Sequence, residues 1–109
     1  MMSDTTVIDR KAEEAAKDLK RERMLEFIRD TLIERAYGLR TGFEANSFLY
    51  CQSAEGKEHL KRLIAMEAAA DVFTHIVGQW QSADETHPRP EWLKTIARQA
   101  MATFIEAFQ

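Results

Sequence analysis

Glu67, Asp71 and His75 stand four residues apart, a spacing that lines carboxylate and imidazole groups along one side of a helix, as metal ligation requires. Glu26, Asp30 and Glu34 repeat the same step earlier in the chain, so a facing helix can add carboxylates. The rest of the ligand grammar is missing. There is no E-x-x-H pair of the di-iron type, no H-E-x-x-H and no C-x-x-C. The simpler expectation is a polar flank in which Asp71 pairs with His75, and no cofactor is expected. His59 reads as a hydrogen-bonded histidine near a helix start rather than a ligand or general base.

Nucleophilic chemistry has little to work with. Cys51 has no adjacent histidine, neither G-x-S-x-G nor a phosphate-cradling glycine loop occurs, and the four glycines are isolated. Arg29, Arg35 and Arg40 gripping an anionic substrate would make a small helical enzyme, a lower alternative, because arginines near helix ends more often complement the helix dipole. Catalytic residues are therefore not expected. A pocket lined by Trp80 and Trp92 is a further alternative, at the linker end of the helices.

Lys17, Lys20, Arg21 and Arg23 are the candidates for touching nucleic-acid phosphates. Asp18 and Glu22 interrupt them and no aromatic residues are interleaved. The whole chain carries a formal charge of −3, which argues against a domain-wide basic footprint. Glu14, Asp18, Glu22, Glu26, Asp30 and Glu34 step by fours beside lysines and arginines, a pattern that suits a salt-bridged, solvated helix surface.

The elements that position these residues are helices. At 109 residues there is room for one domain with a modest core. Residues 1–8 read as a flexible tail and 9–109 as a single helical domain, with 9–23 able to protrude as an arm. The first helix is expected from about Asp9 to Tyr37, closed by Gly38 and Gly42. Its core face carries Met24, Leu25, Phe27, Ile28, Leu32, Ala36 and Leu39, whereas Ile8, Ala12, Ala15 and Leu19 form a weaker stripe out of phase with it. The charged run Lys20 to Arg23 marks where the helix leaves the core or bends. A short helix or structured turn around Phe48, capped by Asn46 or Ser47, follows. A second long helix spans Ser53 to Gln81, and a third starts at Pro90 after a polar linker.

The second long helix is apolar on two sides. His59, Leu63, Met66, Ala70, Phe73, Val77 and Trp80 follow the spacing of a seam against a partner helix. Leu60, Ile64, Ala68, Val72 and Ile76 wind around the back in steps of four. The predicted fold is all-α: three long helices plus a short helix or structured turn, an antiparallel helical bundle, and dimeric. The interaction surface is expected at Leu60, Ile64, Val72 and Ile76, or else at Phe104, Ile105 and Phe108.

The expected function is a non-enzymatic protein–protein interaction module, a small adaptor, regulator or inhibitor that acts by binding. Its partner would be a second copy or a larger protein. The alternative is a nucleic-acid-associated helical protein using residues 17–23. A lone cysteine, the lack of a leader-like N-terminus and the absence of a long apolar run predict a soluble, cytoplasmic chain with no membrane contact.

Overall fold

The computed structural model describes the backbone of residues 2–84 and 86–107, and the side chains of 9–84 and 86–106. All its regular structure is helical, in the order α1 (Met2–Glu44), α2 (Phe48–Gln52), α3 (Ala54–Gln81) and α4 (Glu91–Ala107).

Helix α1 is longer than its sequence signals at both ends. It is already helical at Met2, where a tail is predicted over 1–8, and Met1 lies outside the described residues. It also runs through Gly38 and Gly42, the expected stop. Neither glycine adopts the left-handed backbone that would close a helix. The last turn is held instead by the Thr41 hydroxyl, which donates to the Tyr37 carbonyl, and by the Arg40–Glu44 ion pair. The helix ends at Glu44, two residues after Gly42, and Asn46 closes it. There the Asn46 side-chain amide donates to the Gly42 carbonyl and the Asn46 backbone N–H to Phe43.

Ser47 then caps α2 by accepting from the Tyr50 N–H. Ser53 serves two helices at once. Its hydroxyl donates to the Tyr50 carbonyl at the end of α2 and accepts from the Gly56 N–H at the start of α3. The two helices therefore meet at one residue, and α2 lies against the first turn of α3.

Helix α3 is the hub on which the other three pack. Arg40 of α1 bonds Glu67, while Gln81 at the far end of α3 bonds Glu26, so α1 and α3 run antiparallel. Helix α4 returns along α3, with Phe104 edge-on to Phe73 at 6.2 Å between ring centres. The core lies among these three helices: Leu25, Ile28 and Leu32 from α1, Ala70, Phe73, Ile76, Val77 and Trp80 from α3, and Leu93 and Ala97 from α4. Phe27 and Met24, assigned above to the core face, are instead exposed. Phe27 sits about 150° around the helix from the line through Leu25 and Leu32, too far to reach α3.

The linker is pinned by Arg89. Its guanidinium lies 4.5 Å above the Trp80 ring, its Nε donates to the Trp80 carbonyl at 3.0 Å, and Nη1 faces Asp18 of α1 at 3.6 Å. Before Asp18, every described side chain of α1 is exposed. Through Lys20 to Arg23 α1 stays helical; it leaves the core there, and Leu25 is its first buried side chain.

The molecule measures 74 × 28 × 19 Å, with a radius of gyration of 19.3 Å, against about 13 Å for a compact domain of this length. Its accessible surface is 8313 Å², against about 6,200 Å² for a typical monomer of this mass. The projecting part of α1 accounts for some of this excess. The rest reflects a small core drawn from three helices, which leaves large apolar side chains such as Phe27, Ile64 and Trp92 exposed.

Candidate functional site

Two apolar surfaces on one helix need two sets of neighbours, and α3 finds only part of the second. Leu63, Ala70, Phe73, Val77 and Trp80 of the seam are buried, and Met66 is half-buried. On the back row, Ile76 is covered by α4 and only 4% exposed, so it belongs to the core and not to an association surface. Leu60, Ile64 and Val72 remain 40%, 60% and 52% exposed. Ala68 between them is also exposed. The row winds about 40° per step, so only its last member reaches the side of α3 that α4 occupies.

The uncovered row leads into a groove of about 370 Å³ between α3 and α4. Val72, Ile76, Trp92, Leu93 and Ile96 supply its apolar walls, and Asp71, His75 and Gln79 its rim. Trp92 is 57% and Ile96 43% exposed. The first turn of α4 sits at the open end of α3, where no further helix lies over it. Trp80 does not line this groove with Trp92: it is fully buried, with the Arg89 guanidinium stacked on its ring, and its indole N–H has no hydrogen-bond partner among the described residues.

The alternative set at the end of α4 divides. Phe104 packs against Phe73 and is half-buried, Ile105 is exposed, and Phe108 lies outside the described residues. Phe104 also borders a second groove of about 540 Å³, walled by Leu32, Leu39, Met66, Ala69 and Phe73, which opens between α1 and α3 beyond α4.

A polar cleft lies at the other end of α3. His59 Nε2 is 2.8 Å from the Leu39 carbonyl, which can only accept, so this nitrogen carries the proton. Nδ1 then accepts from the Tyr50 hydroxyl at 3.0 Å. Phe43 and Tyr50 both meet the imidazole edge-on. His59 therefore ties α1, α2 and α3 together with both ring nitrogens engaged. Cys51 of α2 is partly exposed.

The charged candidates are dispersed. Glu67 accepts from Arg40 Nε at 2.7 Å, and Arg40 also reaches Glu44. Hydrogen bonding to Glu67 first, then to Glu44, holds the Arg40 guanidinium above its ordinary value. Arg29 pairs with Asp30, which takes a second arginine out of any anion grip. Among the described residues, no three His, Cys, Asp or Glu side chains are grouped so as to hold a metal ion, those of Glu67, Asp71 and His75 included. Lys17, Lys20 and Arg21 border a shallow hollow with Met24 and Met101, and Arg21 lies 3.8 Å from Asp18. Arg23 is exposed on the same helix. Among the described residues, no helix is long and apolar enough to cross a membrane.

Compared with protein-family models, curated proteins and solved structures, the chain matches none.

Proposed function

We infer that this protein is a non-enzymatic interaction module that works by burying the uncovered side of α3 and the first turns of α4 against another polypeptide. The observation that carries this reading is the exposure of Leu60, Ile64 and Val72 along one row of α3, the last of which also walls the groove with the exposed Trp92 and Ile96. Large connected apolar patches on folded proteins mark association sites. Trp92 is the natural anchor, since tryptophan combines a large contact area with few rotatable bonds. Each half-exposed side chain of the row still has about 1 kcal/mol to gain from full burial. The dispersed carboxylates, histidines and arginines support binding over catalysis.

Zero-length and photo-activated cross-linking in extracts of the native host, followed by mass spectrometry, tests the reading. Cross-links to a second copy or to another protein should map to the α3 and α4 side. They should disappear from a chain carrying Val72→Ser and Trp92→Ser that keeps its helical circular dichroism. Cross-links that persist unchanged in that variant would refute the assignment.

A further inference from the structure

The exposed row on α3 has two flanks of opposite charge. Three residues before Ile64 and Leu60 stand Lys61 and Lys57, both exposed; three residues after Ile64 and Ala68 stand Glu67 and Asp71. On a helix, offsets of minus three and plus three lie on opposite sides of an i, i+4 row. The row thus has a basic side and an acidic side. Asp71 and Lys61 have no ion pair or side-chain hydrogen bond among the described residues, and Glu67 is engaged with Arg40 through one carboxylate oxygen.

We propose that this row is covered by the same row of a second copy, in a two-fold dimer whose axis runs parallel to the row and beside it, so that each row enters the groove flanking the other. This rests on the interaction reading above and names its partner. Rows of i, i+4 residues are inclined by about 26° to the helix axis, and two such rows interlock when the helices cross at about 50°. A two-fold axis parallel to the row exchanges its flanks, so Lys57 and Lys61 of one copy lie beside Glu67 and Asp71 of the other, twice over. A two-fold axis across the row leaves each flank facing itself, lysine beside lysine and carboxylate beside carboxylate. The charge pattern selects the first arrangement and disfavours the second. Ala68 in the middle of the row lets the two axes approach closely. Beyond Val72 the row leads to Trp92 and Ile96, which extends the apolar contact onto α4.

The experiment is a charge exchange read by sedimentation equilibrium, with circular dichroism confirming that each variant is folded. The unaltered chain should be a dimer at micromolar concentration. Lys61→Glu alone puts a carboxylate beside Lys57 on the basic flank, and Asp71→Lys alone adds a lysine to the acidic flank. Each should weaken self-association about tenfold, as loss of two rim pairs and gain of two repulsions implies. An equimolar mixture of the two variants should restore dimers, because the copy with Lys61→Glu then faces the copy with Asp71→Lys along one flank while the other flank keeps its unaltered pairs. Ile64→Asp, at an exposed position, should give monomers. A strict monomer up to about 100 µM, far above the working range of a specific dimer, overturns the proposal. A dimer indifferent to Ile64→Asp and to the charge exchange overturns it too, while leaving association through another surface intact. Cross-links to a different protein at Val72 and Trp92 from a monomeric chain would show the interaction reading to hold without self-association.

Discussion

Gly56 and Gly78 lie in the same helix, yet the same substitution should move stability in opposite directions. At Gly78 a methyl group meets nothing within 4 Å, so Gly78→Ala only removes backbone freedom from the unfolded chain. The gain should be about 0.5 to 1 kcal/mol. At Gly56 the new Cβ would lie 1.9 Å from the Tyr50 carbonyl oxygen, 2.7 Å from its carbon and 2.8 Å from the Cys51 Cα. All three are backbone atoms, so no rotamer can relieve the clash. To recover ordinary contact, α2 must move away by about 1.5 Å, in a close-packed junction.

That movement would disturb the Tyr50 carbonyl, which accepts from both the Ser53 backbone N–H at 2.9 Å and the Ser53 hydroxyl. Overpacking typically costs about 1 to 3 kcal/mol, and each weakened hydrogen bond about 1 kcal/mol. After subtracting up to about 1 kcal/mol of helix propensity, Gly56→Ala should lose about 2 to 4 kcal/mol. Thermal unfolding followed at 222 nm should show its Tm lowered by about 10 °C or more, and that of Gly78→Ala raised by a few degrees. If Gly56→Ala matched Gly78→Ala, α2 could not lie against the first turn of α3, and the account of Ser53 as a shared cap would be wrong.

Arg89→Ala should cost about 1 to 2 kcal/mol in urea unfolding, because it removes the stacking on Trp80, the bond to the Trp80 carbonyl and the tie to Asp18. His59→Ala should cost a similar amount, about 1 to 2 kcal/mol, and the double variant with Tyr50→Phe should cost less than the sum of the two single changes, since they share one hydrogen bond. Leu32→Ala, at a fully buried position, should cost about 3 kcal/mol, whereas Phe27→Ala should stay within about 0.5 kcal/mol; equal effects would mean that α1 is rotated about its axis. Trp92→Ser should leave the midpoint of unfolding nearly unchanged and reduce binding of an apolar fluorescent dye, since its ring is largely in solvent.

The helix count, the short helix capped by Ser47, the start of α3 at Ser53 and the central place of α3 were legible because each depends on local or periodic signals. A serine that caps needs only the next three residues, and a seam of alternating threes and fours needs only the pitch of the helix. The end of α1 was not legible in the same way. Gly38 and Gly42 permit a stop but do not impose one, and Asn46 together with packing on His59 decides where the helix ends.

The association surface shows the same division. Apolar residues on both sides of α3 were fixed by the chain alone, as was the separation of lysines and carboxylates onto opposite flanks of the back row. Which members stay uncovered depends on where α4 lies. A helix of 17 residues can shield only part of one of 28, so Ile76 enters the core while Leu60, Ile64 and Val72 stay outside, and Trp92 ends at the open edge with them. Periodicity records which side chains share a side of a helix. Only tertiary packing settles which of those sides finds a neighbour, because burial is a property of two surfaces and a single helix supplies one of them.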